Sequence, residues 1–290
     1  RKWGAGRGVD AAIVSDLPAA AGLSSSSALL VAFTLSLLRA NAIGATFEEL
    51  MEVLPEGEQF VGTRGGGMDH AASLASRAGC ASLVEFDPLA VRHVPVPPDW
   101  AFLVAHSLTV AEKSGAVRQR YNACRAAGTT ALARLGFPSY RLAIQGRTTA
   151  QLQDLSAQDL NDADERAGFL HVTSEAMRVR AAVAALEQHD AETFGSLLLA
   201  SHASLRDRLH VSSAALDRLV EAAMDSGALG ARLTGAGFGG CAVVSCRQPD
   251  LPAVRSGLIR RYYAELPEFD ERMHLIHAEP GPGALQADCV

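Results

Sequence analysis

Residues Leu17 to Leu38 read LPAAAGLSSSSALLVAFTLSLL, a Pro/Ala/Gly turn that runs through four serines into a long apolar segment. Serine is favoured at a helix N-terminus because its hydroxyl accepts hydrogen bonds from the free backbone N–H groups there. Those N–H groups and the helix dipole also attract anions, and Gly22 lets a ligand come close to the backbone. The stretch predicts a helix over residues 24–40 that begins either at a phosphate-binding loop or at an ordinary serine cap.

The composition limits the class of protein. The 290 residues suit one large domain or two medium ones, and 48% hydrophobic and 20% charged residues are typical of a soluble globular chain. No apolar run reaches the roughly 18–20 residues of a bilayer span. The net charge of −6, without a Lys/Arg cluster, argues against nucleic-acid binding. Five scattered cysteines suggest neither a disulfide framework nor a zinc site, so we expect a cytoplasmic protein.

Hydrophobic patterning predicts a mixed set of elements. A first strand over Val9–Ser15 leads into the serine stretch, and Thr46 with Glu49 predicts a capping box on a helix that Pro55 interrupts. The remaining strands are expected at 81–86, 91–96, 101–106, 231–233, 241–246 and 272–277. The remaining helices are expected at 69–78, 114–134, 175–188, 190–208, 213–226 and 250–264, and residues 138–165 are assigned no structure.

These elements do not alternate in a regular βαβ rhythm, which favours an α+β protein over a doubly wound sheet. The segment VPVPPDW, residues 94–100, interrupts both helix and strand with its prolines. We therefore expect an N-terminal domain over residues 1–97 and a C-terminal domain over residues 98–290.

A second glycine motif, Gly235-x-Gly237-x-x-Gly240, matches the dinucleotide fingerprint as a string but not in context. That fingerprint needs a helix after it, whereas the run CAVVSC that follows here predicts a strand. The motif is interpreted as a glycine turn between two strands, which is either a tight connection alone or a backbone that approaches another loop or a phosphate. The P-loop, the protein-kinase signatures, HExxH and GxSxG are all absent from the sequence.

Two carboxylates stand out near these motifs. Asp69 follows three glycines at the start of a predicted helix, where N–H groups favour the charged form, so it is either a general base or a plain N-cap. Glu58 is either a solvated helix residue or a magnesium ligand beside a serine hydroxyl, since Mg²⁺ prefers a few hard oxygen ligands.

Taken together, three motifs resemble the GHMP kinase superfamily: Pro-x-x-x-Gly-Leu-Ser-Ser-Ser-x-Ala, Gly-Gly-Met-Asp, and Leu-Thr-Gly-x-Gly-Phe-Gly-Gly-Cys. Details of the chain are similar to the galactokinases of that superfamily, in segments at 81–86, 121–125, 171–175, 201–207 and 231–241. The resemblance implies a two-domain GHMP kinase fold, with a part like ribosomal protein S5 domain 2 at the N-terminus and a ferredoxin-like part at the C-terminus. It implies ATP and Mg²⁺ as cofactors.

The resemblance also assigns residues to the nucleotide. The first loop would cradle the ATP phosphates with its backbone N–H groups and the second would support it. The residues concerned are Gly22, Leu23, Ser24, Ser25, Ser26, Ser27, Gly235, Gly237 and Gly239.

For the metal and the sugar, the resemblance assigns Ser26 and Glu58 as Mg²⁺ ligands, Asp69 as the catalytic base at the anomeric hydroxyl, and Gly66 and Tyr121 as neighbours of the sugar. The implied reaction is ATP-dependent phosphorylation of D-galactose to α-D-galactose 1-phosphate. The alternatives are an N-acetylgalactosamine or L-arabinose 1-kinase, a non-catalytic sugar sensor, and, more distantly, a mevalonate or homoserine kinase. We expect a monomer that binds sugar and ATP, without nucleic acid or membrane.

Two departures from the family pattern are visible. His70 stands where these kinases usually carry Gln after the aspartate. The earlier family motif Gly-Arg-x-Asn-x-x-Gly-Glu-His-x-Asp, which supplies most of the sugar contacts, has no match. We therefore expect the chain to lack the N-terminal segment of the family, with part of the sugar site and one edge of the first domain.

Overall fold

The computed structural model describes residues 2–4, 6–18, 22–58, 66–109 and 115–286, without the side chains of 116–118. The chain divides into two compact units. The first comprises Arg1–Val96 and Glu279–Val290, and the second comprises Pro97–Ala278. The chain thus divides within the proline-rich segment. The last residues group with the first unit, whereas the expected C-terminal domain ran to residue 290.

The described residues of the first unit form three helices and one hairpin. Its elements are α1 Ser25–Ala40, α2 Phe47–Glu58, α3 Met68–Ala75, β1 Cys80–Phe86 and β2 Leu89–Pro95. Buried apolar side chains of the three helices form its core, among them Val31, Leu50 and Leu74. The two strands pair antiparallel from Cys80–Pro95 to Phe86–Leu89. The core therefore fixes α1 and α3, which carry the serine and Met-Asp motifs, against α2.

Two expectations for this unit are wrong. Residues 9–15 form no strand: they are irregular, and the Val14 side chain is 97% exposed. A strand needs a neighbour for its backbone groups, and none pairs with this segment within the described part of the chain. Pro55 does not interrupt α2, which continues to Glu58. It lies in the last turn, so its missing N–H removes one bond near the helix end while Met51 and Leu54 stay buried.

The capping box at the start of α2 is confirmed. The Thr46 N–H donates to Glu49 Oε2 at 2.9 Å, and the Glu49 N–H donates to Thr46 Oγ1 at 3.2 Å. At the other end of the unit, residues after 279 return to the end of α3. There Gly79 donates to the Pro280 carbonyl at 2.9 Å and Gly283 to the Ser76 carbonyl at 2.7 Å. These backbone bonds explain why the chain end groups with the first unit.

The described residues of the second unit form a four-stranded antiparallel sheet covered by helices. Its elements are β3 Trp100–His106, α4 Gly115–Arg134, α5 Tyr140–Ile144, α6 Thr149–Asp159, α7 Ala163–Glu187, α8 Ala191–Asp207, α9 Ala214–Asp225, β4 Gly230–Leu233, β5 Cys241–Arg247, α10 Leu251–Leu258, a π-helical turn Ile259–Tyr263, α11 Glu271–His274 and β6 Leu275–Ala278. The strand order is β4-β5-β3-β6. This order, with helices between β3 and β4 and between β5 and β6, is the ferredoxin-like arrangement.

Most of the expected elements match the observed ones to within a few residues, with three exceptions. The helix expected to begin at 175 begins at Ala163, and the first half of the strand expected at 272–277 belongs to α11. Residues 138–165, which were assigned no structure, contain α5, α6 and the first turn of α7. Three side chains accept from helix N–H groups there: Ser139 from Leu142, Thr148 from Gln151 and Asp162 from Glu165. These N-cap residues were the available signal, but the helices themselves are too polar for their periodicity to stand out.

In the described part of the chain, no helix combines the length and the apolar character that crossing a bilayer requires.

Candidate active site

The serine loop, Gly22–Ser27, leads directly into α1, which begins at Ser25. Ser24 has left-handed backbone, with φ 56° and ψ 34°, and its side chain makes no capping hydrogen bond. Of the two alternatives, the ordinary serine cap is not formed by Ser24, because a capping hydroxyl needs extended backbone to reach the N–H groups of the first turn. The start of α1 keeps its N–H groups free of that cap.

The last two serines of the loop, Ser26 and Ser27, turn their hydroxyls to one carboxylate. Ser26 Oγ donates to Glu58 Oε1 at 3.0 Å and Ser27 Oγ donates to the same oxygen at 2.6 Å. Ser27 is 1% exposed, whereas Glu58 is half-buried at the last position of α2. Hydrogen bonds to an ionised acceptor are stronger than neutral ones. The fold thus joins Ser26 and Glu58, which are 32 residues apart.

Asp69 is half-buried in the first turn of α3. The helix starts after Gly67, whose φ of 82° and close neighbours, Met51 Cε and Pro55 Cγ, leave little room for a side chain. Gly66 is exposed. The preceding part of the glycine-rich turn, residues 62–65, lies outside the described residues.

His70 interacts electrostatically with both carboxylates, Glu58 and Asp69. It is 1% exposed, and neither ring nitrogen has a hydrogen-bond partner within the described structure. Burial lowers the pKa of His70, while the negative charges of Glu58 and Asp69 oppose that shift. Both carboxylates therefore lie within electrostatic reach of one imidazole, which groups Glu58 and Asp69 in the same part of the first unit.

A groove of about 390 Å³ lies along α2. It is lined by Glu48, Met51, Glu52, Pro55, Gly66, Phe86 and Leu89. Of the described residues predicted for the site, only Gly66 lines this groove. The groove is therefore not the place where the serine loop, Glu58 and Asp69 come together.

The glycine loop, Thr234–Gly240, connects β4 to β5 in the second unit, as the sequence predicted for a turn between two strands. Phe238 donates its N–H to the Val211 carbonyl at 2.7 Å, and Gly240 donates to the Thr109 carbonyl at 2.8 Å. Gly237 has φ 83°, and a Cβ there would lie 2.0 Å from the Val211 oxygen. The loop backbone therefore packs directly against other backbone.

The remaining predicted residues of this unit are separate from that contact. Gly235 is exposed and Gly239 is buried within the loop. Tyr121 is half-buried on α4. The serine loop, Glu58, Gly66 and Asp69 belong to the first unit, and the glycine loop and Tyr121 belong to the second.

A polar layer behind β4 has roles that the sequence analysis did not assign. His171 Nδ1 and Ser204 Oγ lie 2.9 Å apart between α7 and α8. Ser201 Oγ donates to Glu175 Oε2 at 2.7 Å. His202 faces the end of β4, where it accepts the N–H of Leu233 at 3.3 Å. The available signal was the run SHASLRD at 201–207, which places several polar side chains on a helix whose neighbours are apolar.

The described residues include no group of three or more His, Cys, Asp or Glu side chains arranged to hold a metal ion. A hard divalent cation needs fewer protein ligands when phosphate oxygens complete its shell. The Ser26 hydroxyl and the Glu58 carboxylate are oxygen donors of that kind, and they already converge on one point.

Comparison with known proteins identifies the family. The model of the GHMP kinase N-terminal domain matches residues 1–77, and that of the GHMP kinase C-terminal domain matches residues 182–265. A galactokinase from a Roseiflexus species is 38% identical over 260 residues, which cover 88% of this chain and 65% of the relative. Human galactokinase is 36% identical over 245 residues, or 81% of this chain and 59% of the relative. The chain thus spans less than two thirds of the length of these relatives.

The fold gives the same result. The crystal structure of Lactococcus lactis galactokinase complexed with galactose matches 92% of this chain and 68% of that one, with a TM-score of 0.80 and 26% identity. The crystal structure of L. major mevalonate kinase in complex with R-mevalonate matches 88% of this chain and 65% of that one, with a TM-score of 0.56 at 21% identity, which shows a common fold. The expected α+β, two-domain class is confirmed. The chain belongs to the GHMP kinase family, and the two sequence relatives described above are galactokinases.

Proposed function

We propose that this protein transfers the γ-phosphoryl group of ATP to the anomeric hydroxyl of D-galactose and forms α-D-galactose 1-phosphate. The observation that carries the proposal is the convergence of the Ser26 and Ser27 hydroxyls on Glu58 at the start of α1. Phosphoryl transfer depends mainly on positioning and charge neutralisation, which need N–H donors, hard oxygen ligands and one carboxylate near the nucleophile. The first unit offers a candidate for each: the N–H groups at the start of α1, the Ser26 and Glu58 oxygens, and the Asp69 carboxylate.

The nucleotide phosphates are assigned to the serine loop. The start of α1 lacks a cap from Ser24, so its N–H groups and dipole suit a polyphosphate. The glycine loop, with Gly235, Gly237 and Gly239, is assigned a supporting role, because several of its backbone groups already bond to the protein.

Mg²⁺ is assigned to Ser26 and Glu58. The donor set fits, since both side chains offer oxygens and Mg²⁺ completes its shell with phosphate and water. When bound, the ion neutralises charge on the phosphate oxygens. The chain's own contribution is to hold the Ser26 hydroxyl and the Glu58 carboxylate against each other on two packed helices.

Asp69 is assigned the role of the general base that accepts the proton of the sugar hydroxyl. In the proposed step its carboxylate accepts the hydrogen of the anomeric hydroxyl while that oxygen bonds to the γ-phosphorus and ADP leaves. Gly66 and Tyr121 are assigned positions near the sugar. Galactose is proposed because the relatives are named galactokinases and a related structure is complexed with galactose. We further propose that the protein acts as a cytoplasmic monomer, without nucleic acid or membrane.

The test is ATP turnover with Mg²⁺ and a panel of galactose, N-acetylgalactosamine and L-arabinose. Wild type is compared with Asp69→Asn and with the control Asp154→Asn, an exposed aspartate on α6. We expect galactose 1-phosphate from wild type and the control, and a loss of about 10²-fold or more in Asp69→Asn. Turnover of another sugar would change the substrate. Galactose binding without phosphoryl transfer would favour the sugar sensor over the kinase. The absence of both galactose binding and phosphoryl transfer would refute the proposal.

A further inference from the structure

The glycine loop begins at an edge of the sheet that α8 covers. The strand β4 is the edge strand in the order β4-β5-β3-β6, so one side of its backbone needs partners from outside the sheet. Helix α8 packs very closely there: a Cβ on Gly230 would lie 2.1 Å from the Gly195 oxygen. The position of α8 therefore determines which atoms can accept hydrogen bonds from the last N–H groups of β4.

His202 on α8 is the hydrogen-bond partner of the last N–H group of β4, that of Leu233. Its side chain is 4% exposed, and Nδ1 accepts the N–H of Leu233 at 3.3 Å. Leu233 ends β4, and the next residue, Thr234, begins the glycine loop. A ring nitrogen that accepts a hydrogen bond carries no proton, so a neutral His202 carries its proton on Nε2.

The other ring nitrogen faces a carboxylate on α9. Nε2 lies 3.2 Å from Asp217 Oδ1, although the approach is not well aligned for a hydrogen bond. Asp217 Oδ1 also accepts from Ser212 Oγ at 2.6 Å. The ring of His202 is thus held between β4 on one side and the start of α9 on the other, with a proton on the side where a carboxylate attracts it.

The segment between α8 and α9 also holds the tip of the loop. The Val211 carbonyl accepts the Phe238 N–H at 2.7 Å and lies against Gly237. Phe238 packs in an apolar cluster with Val211 and Leu233. The start and the tip of the glycine loop are therefore anchored on one support, through His202 and Val211.

We propose that His202 is a positioning residue for the glycine loop: by accepting the Leu233 N–H it fixes the conformation in which that loop supports the nucleotide. The nucleotide part rests on the function proposed above, whereas the anchoring part does not. A histidine that only filled the core would not need an acceptor nitrogen aimed at the end of a strand.

The charge state of His202 agrees with this role. Burial lowers its pKa, the Asp217 carboxylate opposes the shift, and the Arg206 and Arg232 guanidinium groups add to it. Asp207 is a further charge that interacts with the ring. The neutral form that can accept the Leu233 N–H therefore persists at pH 7, and the anchor is lost only in acid, when Nδ1 gains a proton.

Two substitutions separate the ring nitrogens. Asn places an amide oxygen near the position of Nδ1, whereas Gln places its terminal amide near the position of Nε2. We expect His202→Asn to keep the Leu233 amide protected from hydrogen exchange within about twofold. We expect His202→Gln and His202→Ala to speed exchange of Leu233 and Phe238 by about tenfold or more, relative to Val244 in the central strand β5.

Kinetics gives the second readout. His202→Gln should raise the KM for ATP by about fivefold or more, while the KM for the sugar stays within twofold and His202→Asn stays close to wild type. The control is His171→Gln, a half-buried histidine that contacts Ser204 on α8 rather than Leu233. It should leave the Leu233 exchange and the KM for ATP unchanged.

The outcomes separate the two proposals. Unchanged exchange of Leu233 in His202→Ala would overturn the anchor, and so would equal exchange rates in the Asn and Gln variants. If wild type neither binds ATP nor phosphorylates a sugar, the kinase proposal and the nucleotide part of this one fail, while the exchange data still decide whether His202 anchors the loop.

Discussion

The serine loop and the glycine loop both use left-handed backbone, but they are anchored by different atoms. In the serine loop the anchors are side chains, because Ser26 and Ser27 donate their hydroxyls to Glu58. In the glycine loop the anchors are backbone groups, including the N–H groups of Phe238 and Gly240. Anchoring through side chains leaves backbone N–H groups available for a ligand, whereas anchoring through the backbone uses them. This difference supports phosphate contact by the first loop and a supporting role for the second.

The largest expected change in stability concerns the backbone contact between the glycine loop and Val211. Gly237→Ala places a Cβ 2.0 Å from the Val211 oxygen on left-handed backbone, so the loop must move. We expect a loss of about 3 kcal/mol or more in unfolding free energy, measured by urea unfolding.

The matched control is Gly136→Ala. Gly136 has φ 74°, but its Cβ would meet nothing within 4 Å. It should cost about 1 kcal/mol, the effect of left-handed backbone alone. Equal losses in the two variants would show that the close approach to Val211 is not a constraint.

A smaller effect concerns the pH dependence of stability and the polar layer behind β4. Burial lowers the pKa of His171 to about 4. Because the unfolded chain binds this proton more tightly, with a pKa near 6.5, the stabilisation is complete above pH 6.5 and is lost as the pH falls toward 4. Between pH 7 and pH 5 this histidine should account for a loss of about 2 kcal/mol.

Urea unfolding at both pH values measures this loss. His171→Gln should reduce the fall in stability by about that amount, whereas the control His277→Gln, an exposed histidine on β6, should not. A fall as steep in His171→Gln as in wild type would contradict the assignment.

The serine loop should respond more weakly, because its anchors are shared. Ser27→Ala removes the shorter bond to Glu58 from a buried position and should cost about 1–2 kcal/mol. Ser26→Ala removes the longer bond from a half-buried one and should cost less than about 1 kcal/mol. Thermal unfolding of the two variants side by side is the measurement. A greater loss in Ser26→Ala would reverse the order of the two anchors.

The smallest expected effect is a gain. Ser24 has φ 56° and no capping bond, so Ser24→Gly should relieve left-handed backbone and raise the unfolding free energy by about 0.5 kcal/mol. The control Ser25→Gly changes the first residue of α1, which has helical backbone, and should give no gain. A loss in Ser24→Gly would mean that its side chain holds the loop in another way.

Prediction from the sequence was most successful where local rules decide the structure. The capping box of Thr46 and Glu49, the apolar helix after the serines and the buried strand expected at 241–246 are read from neighbouring residues. It was wrong for Val9–Ser15 because strand-like sequence forms a strand only when another segment pairs with it. It was wrong for Pro55 because burial of Met51 and Leu54 keeps the last turn of α2 intact.

The sequence by itself determined the family, the order of most helices and strands, and the motifs that carry the candidate chemistry, because each depends on short stretches of chain. Only the tertiary structure decided which residues meet. Glu58 accepts the Ser26 and Ser27 hydroxyls, and Val211 lies against Gly237. His202 accepts the Leu233 N–H. Each of these contacts joins elements distant in sequence, and packing of the helices and the sheet, rather than local propensity, sets which side chain finds which partner.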